Sequence, residues 1–329
     1  MKALVYTDVE TLEMRDVPDP VPGAAGDCLI RVDAVGICGS DMHAYLGHDE
    51  RRPAPLILGH EAAGEVVDGP LKGKRVTINP LVTCGTCRAC WQGRTNLCPD
   101  RQIISMPPRD GAFAEYLAMP KGNLIELPDG FATHHAALAE PLAVCWHAVR
   151  LAHDAVFGGL TAARCLVIGG GAIGFGSALA LRAFGAGDIT IAEANPERAR
   201  YVADHCDFSV IAPAAAPAAA FDLVIDAVGY SVTREAACTT AQPGGVICHI
   251  GLGDAHDGLD IRRLTLQEIT FFGTYAYTAQ DFRDTCAAMF AGRLGGFDWL
   301  QRLPLATGAQ AFSDLRAGKI LAPKVILHP

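Results

Sequence analysis

The sequence predicts two architectures in one chain, an all-β unit at the front and an α/β unit with a parallel sheet behind it. Three observations carry this. From Met1 to about Leu58, short runs rich in Val, Ile and Leu alternate with Pro and Gly, the pattern of a barrel or sandwich of short strands. At about Ala162 the grammar changes, and an apolar strand runs straight into a glycine-rich turn and a helix. The length of 329 residues, half of them hydrophobic, suits about two packed domains.

Taken in order, Met1 to Tyr6 reads as a strand. Cys28 to Val32 is another, bounded by the turn at Pro22-Gly23. Gly36-Ile37-Cys38-Gly39-Ser40-Asp41-Met42-His43 and Gly59-His60-Glu61 follow. A thiol, an imidazole and a carboxylate are donors that zinc takes, and a catalytic zinc keeps one position open. Cys38, His60 and Glu61 could supply two or three of them, or Cys38 and His60 could be buried core side chains. Ser40 and His43 stand where a hydroxyl and an imidazole could pass a proton outward. Further strands are expected from Glu61 to Val67 and from Lys74 to Ile78.

Cys84, Cys87 and Cys90 recur at every third position, and Cys98 completes the set. Four thiolates with no open position make a structural zinc site; an iron–sulfur cluster uses the same donors. Gly85, Gly93, Arg94 and Asn96 mark an irregular loop that a metal would pin. Strand patterning returns between Gly111 and Leu127, with Ala112 to Leu117 alternating. Ala136 to Val149 reads as helix and carries Glu140-Pro141 in apolar company. That carboxylate needs a partner, because a buried unpaired charge is costly. A cation would serve; so would the positive end of the helix.

Arg164 to Ile168 is the apolar strand, Gly169-Gly170-Gly171-Ala172-Ile173-Gly174 the turn, and Phe175 to Phe184 the helix. This is G-x-G-x-x-G between strand and helix, the dinucleotide-binding fingerprint. The next strand, Ile189 to Ala192, ends in Glu193, at the distance of a carboxylate that accepts from the ribose hydroxyls. Glu193 would repel a 2′-phosphate, which favours NAD over NADP; Arg198 nearby could tolerate that phosphate. Asp222 to Asp226 ends in Ala227-Val228-Gly229, and Gly245 to Ile250 ends in Gly251-Leu252-Gly253. Glycine after an apolar strand lets a ligand approach the carboxyl end, where open α/β sheets bind cofactors. Pro213 to Ala220 reads as a surface connection and Glu268 to Gly273 as the last strand of this half. Helices at Ala279–Phe290 and near Gln310–Ala317 and a strand Lys324–Leu327 complete the chain.

The formal net charge of −9 argues against nucleic acid and anionic membrane surfaces, which attract basic patches. No apolar run approaches the roughly 20 residues of a membrane span, and the opening segment does not read as a signal peptide. The expected compartment is the cytoplasm, where the twelve cysteines are thiols or metal ligands rather than disulfides.

On these motifs together the chain resembles the zinc-dependent medium-chain dehydrogenase/reductase family over nearly its whole length. The resemblance implies a GroES-like β catalytic domain, residues 1–143 and 273–329, with a Rossmann NAD-binding domain, residues 144–272, inserted. It implies Cys38, His60, Glu61 and Glu140 as the catalytic-zinc residues, with Glu61 ligating or exchanging with water. Ser40 and His43 form the proton relay. Cys84, Cys87, Cys90 and Cys98 hold the structural zinc. Glu140 marks the branch of polyol and threonine dehydrogenases, where simple alcohol dehydrogenases carry cysteine. The activity implied is hydride transfer from a secondary alcohol of a polyol or sugar acid to NAD. L-threonine or a phosphorylated polyol is the alternative substrate, and a non-catalytic zinc- and NAD-binding sensor the alternative of another class. A homodimer or homotetramer is also implied. Two segments depart from the family pattern. Asp68 to Gly73 is shorter than the usual glycine-rich loop, and Gly273-Thr274-Tyr275-Ala276-Tyr277 has alanine where polyol dehydrogenases carry arginine. Arg51-Arg52 is a candidate phosphate contact, read otherwise as a solvated loop.

Overall fold

The computed structural model describes residues 1–23 and 26–329. The strand Asp27–Gly36 organises the β half. Its inward residues Cys28, Ile30, Val32 and Ala34 fall at every second position, the period of a pleated strand. Glu61–Asp68, Tyr116–Pro120 and Lys324–His328 all pair with it antiparallel. Arg75–Ile78 and Leu124–Glu126 extend the sheet on one side, and Leu300–Pro304 lies parallel to Lys324–His328 on the other. A smaller sheet joins Lys2–Asp8 to Thr11–Asp16 and Leu56–Ile57. Phe113, Phe312 and Tyr45 fill the space between, with Phe113 and Phe312 edge to face at 5.9 Å. Gly36 closes the central strand: a Cβ there would stand 1.9 Å from Glu61 Oε2.

The second half is a parallel sheet. Its order is Ser209–Ile211, Asp188–Ala192, Arg164–Ile168, Phe221–Asp226, Ala241–His249 and Thr270–Gly273. The order reverses between Arg164–Ile168 and Phe221–Asp226, and that reversal opens the crevice in which such sheets bind ligands. The helix Ala139–Ala155 carries the chain from one half to the other, running through residue 143 without a break. It shares one core with the helices Ala172–Ala183 and Ala279–Phe290. Among the described residues, no helix is long and apolar enough to cross a membrane.

Several boundaries differ from expectation. The alternation at 112–117 is not one strand: residues 112–114 are buried, and regular pairing begins only at Tyr116. Their backbone is drawn to the preceding loop, since Ala112 N–H donates to Gly59 and Phe113 N–H to Leu58. The helix expected over 136–149 is two, Thr133–Ala136 and Ala139–Ala155. The nucleotide helix starts at Ala172, three residues early, because the fingerprint's last glycine already lies in its first turn.

Candidate active site

Cys38 is the N-cap of the short helix Gly39–Tyr45. Asp41, at the third helical position, accepts the Cys38 N–H through Oδ2 at 3.0 Å, which fixes the thiol at the helix entry. The other oxygen of this fully buried carboxylate accepts from Gly59 N–H at 3.3 Å and lies 3.4 Å from His60 Nδ1. Ser105 Oγ is also 3.4 Å from that nitrogen. Asp41 can only accept, so it assigns the proton to Nδ1 and leaves the Nε2 lone pair for a ligand, the arrangement of a metal-binding histidine. Burial alone would lower the basicity of His60. Asp41 and then Cys38 outweigh it and raise its pKa above the ordinary histidine range, so in the metal-free site Nε2 also carries a proton, which a metal would displace. The pocket is built for positive charge.

The donor atoms of Cys38, His60 and Glu61 lie within 4.8 Å of one another. Glu61 is fully buried and accepts from Lys324 Nζ at 2.6 and 2.8 Å. Lys324 also donates to the Ile37 carbonyl at 3.0 Å. Glu140 stands outside that three-residue group. It is buried in the first turn of Ala139–Ala155, and Tyr277 donates its hydroxyl to Oε1 at 3.0 Å. Burial pushes its carboxyl up to about 7; His60 pulls against this and Glu61 adds to it. A thiol, an imidazole and two carboxyl groups are a donor set that fits zinc.

Ser40 and His43 lie half-buried on the same helix, three positions apart and therefore on one face. The solvated-loop reading of Arg51-Arg52 fails for Arg52. That side chain is buried, donating to the carbonyls of Ser105 and Ser40 and pairing with Asp49. Arg51 is exposed and pairs with the same aspartate.

The thiols of Cys84, Cys87, Cys90 and Cys98 also lie within 4.8 Å of one another. Backbone N–H groups of Thr86 and Cys87 lower the Cys84 thiol to about 6, as suits a thiolate ligand. The lobe is docked at its far end: Asn96 Nδ2 donates to the Tyr275 carbonyl at 2.7 Å, and Thr95 Oγ1 accepts from Ala279 N–H at 2.8 Å.

At the sheet reversal, Gly169 has φ +100°, a conformation side chains resist. A Cβ on Gly174 would meet the Gly169 carbonyl at 1.8 Å. Gly171 caps the helix that Ala172 and Ile173 begin. Glu193 is buried beside this turn, accepting from Gly170 N–H and Asn195 N–H, each at 2.7 Å. Val228 packs under Gly169, and Gly251 lies against the backbone of Val228 and Gly229. Gly253 packs on the Tyr230 ring. Arg198, on the helix Pro196–Asp204, reaches the Ile320 carbonyl at 3.4 Å.

A zinc-binding dehydrogenase domain matches residues 172–291, and an alcohol dehydrogenase GroES-like domain matches residues 24–129. Probable D-xylulose reductase A of Arthroderma otae is 32% identical, over 96% of this chain and 94% of that protein. The chain belongs to the zinc-dependent medium-chain dehydrogenase/reductase family. Membership makes it an oxidoreductase of alcohol groups. L-galactonate-5-dehydrogenase of Escherichia coli is also 32% identical, over 95% and 94% of the two chains. The crystal structure of an Escherichia coli oxidoreductase/dehydrogenase of unknown specificity superposes with a TM-score of 0.89 at 27% identity, covering 99% of this chain and 98% of that one.

Sequence reasoning missed Asp41, Ser105, Tyr277 and Lys324 as parts of the site. Asp41 had a local signal, an acid three residues after the N-cap. The other three reach the site from 45 to 263 residues away; Ser105 and Lys324 carry no motif, and Tyr277 closes the segment Gly273 to Tyr277, which was read only for its alanine. It also missed Asp226, fully buried at the end of its strand. Asp226 accepts from Val228 and Gly229 N–H and from Thr233 Oγ1, and pairs with His249, so it shapes the crevice floor.

Proposed function

We propose that this dehydrogenase oxidises a secondary alcohol of a polyol or sugar acid, with NAD as acceptor and zinc at Cys38, His60 and Glu61. The convergence of thiol, imidazole and carboxylate within 4.8 Å carries the reading. Glu140 would complete the site or exchange for Glu61. The chemistry these groups supply when bound is Lewis-acid polarisation of the alcohol oxygen and a hydride acceptor. The protein's part is positional. Asp41 keeps the His60 proton on Nδ1, and Lys324 balances the charge of Glu61. Ser40 Oγ receives the alcohol proton and His43 passes it outward. Gly169, Gly171, Ala172, Ile173 and Gly174 admit the pyrophosphate. Glu193 accepts from the ribose hydroxyls and disfavours a 2′-phosphate. The names of the relatives, a D-xylulose reductase and an L-galactonate-5-dehydrogenase, support the substrate class.

The four-cysteine lobe holds a structural zinc in this reading. Residues 1–143 with 273–329 form the catalytic domain and 144–272 the cofactor domain. The edge strand Thr270–Gly273, with exposed Ile261 and Leu266 nearby, supports assembly into a homodimer or homotetramer. Free thiols throughout the described residues support a cytoplasmic setting. The test is NADH formation by metal-analysed protein over a panel of polyols and sugar acids, with Cys38→Ser beside wild type. Cys38→Ser is expected to lose turnover and keep NAD binding. Wild-type rates in that variant would refute the metal assignment. Bound NAD with a silent panel would favour a sensor.

A further inference from the structure

The segment Gly273 to Tyr277 carries no cation of its own, yet a guanidinium stands over Tyr275. Arg101 lies 4.9 Å over the Tyr275 ring, with Nε 3.4 Å from the Tyr275 hydroxyl and Nη1 2.9 Å from the Cys98 carbonyl. No carboxylate pairs with it among the described residues. Two separate segments bring these residues together, and each reaches the candidate site a few residues further along. Ser105, four residues after Arg101, reaches His60. Tyr277, two residues after Tyr275, holds Glu140. Between Tyr275 and Tyr277 the backbone takes a left-handed step at Ala276, φ +48°, which separates the outward tyrosine from the inward one. Ser105 and Tyr277 hold groups proposed to bind metal. Arg101 and Tyr275 themselves are half-exposed, in a chain whose formal net charge is −9.

We propose that Arg101, presented by Tyr275, reads an anionic terminal group on the substrate, which makes the preferred substrate an acid rather than a neutral polyol. This rests on the proposed function and narrows it. A planar guanidinium without a carboxylate partner suits a carboxylate or a phosphate ester, both of which it can bind through paired N–H groups. The distance from the reacting alcohol to the anion would then select chain length.

The test compares hexonates (gluconate, idonate, galactonate), the matching hexitols and hexitol phosphates, in wild type, Arg101→Met and Arg101→Lys. Binding of each is also followed by thermal shift with NADH present. Wild type is expected to favour one of the two anionic sets. Arg101→Met should raise KM for that set roughly 10- to 100-fold, with kcat nearly unchanged and neutral hexitols unaffected. Arg101→Lys should restore part of the loss. Preference for the acids assigns a carboxylate, and preference for the phosphates a phosphate ester. Equal losses for neutral and anionic substrates would reduce Arg101 to a strut for Tyr275 and overturn the proposal. So would a wild type that turns over hexitols best, which leaves the proposed function standing. Protein with NAD bound and no turnover of any alcohol would strike down the proposed function itself.

Discussion

Glu193 is held by two backbone N–H groups, those of Gly170 and Asn195, so its position is set before any ligand arrives. Glu193→Ala is expected to weaken NAD by about 1.5–3 kcal/mol, the scale of charge-assisted hydrogen bonds, and to narrow the preference over NADP. Catalytic efficiency with both cofactors checks this; an unchanged ratio would detach Glu193 from the ribose. His134 offers a second residue-scale measurement. Burial, with His135, Arg302 and His328 beside it, lowers its pKa from the ordinary 6.5 to about 4. The unfolded chain therefore binds a proton first as pH falls. Stability held above pH 6.5 is lost progressively down to about 4. His134→Gln should flatten the fall of Tm across that window, and melts at stepped pH would show it. An equal slope in both proteins would place the acid sensitivity elsewhere. At this scale the sequence was legible where chemistry is local. Cys38, His60, Glu61 and the fingerprint glycines sit in short motifs. Lys324 and Tyr277 were not legible, because only the tertiary fold brings them to their carboxylates.

The cysteine lobe has little regular structure of its own, a four-residue helix Arg88–Trp91 and a turn at Thr95–Leu97. Its order must come from the four thiols and from its docking on Tyr275 and Ala279. Cys90→Ser is therefore expected to lower the melting temperature and release one metal per chain, with a smaller effect on turnover. Metal analysis alongside the melt decides; an unchanged melt with one metal lost would refute a structural role. Elements with strong patterns were readable, the helix Ala279–Phe290 and the strand Arg164–Ile168 at their full lengths. The helices Gly39–Tyr45, Ser231–Thr240 and Ile261–Leu266 were not. Each is short, and glycine or β-branched and polar residues blur its apolar stripe. The stretch at 112–114 had the right alternation but formed no ladder: the N–H groups of Ala112 and Phe113 turn to a loop, while Phe113 accepts from Leu4 and Ala114 makes a single bridge to Ala3.

Across the whole molecule, the ion pair of Lys324 and Glu61 ties the last strand to the candidate metal cluster, with both side chains almost fully buried. Removing one partner leaves a buried charge uncompensated. In metal-free protein, Lys324→Met is expected to cost about 3–5 kcal/mol of stability, and adding Glu61→Gln should recover part of it, because the orphaned charge is then gone. Urea unfolding of the single and double variants gives the coupling. A loss near 1 kcal/mol or less, the scale of an exposed pair, would mean that the two do not depend on each other. The same tie has a meaning in time. Glu61 and Lys324 are 263 residues apart in the chain, and at synthesis rates of about 5–20 residues per second the carboxylate waits roughly ten seconds to a minute for its lysine. The whole parallel sheet emerges in that interval. A nascent chain that has already made Cys38, His60 and Glu61 thus carries the side chains proposed to bind metal without their counter-charge until the parallel sheet has been made.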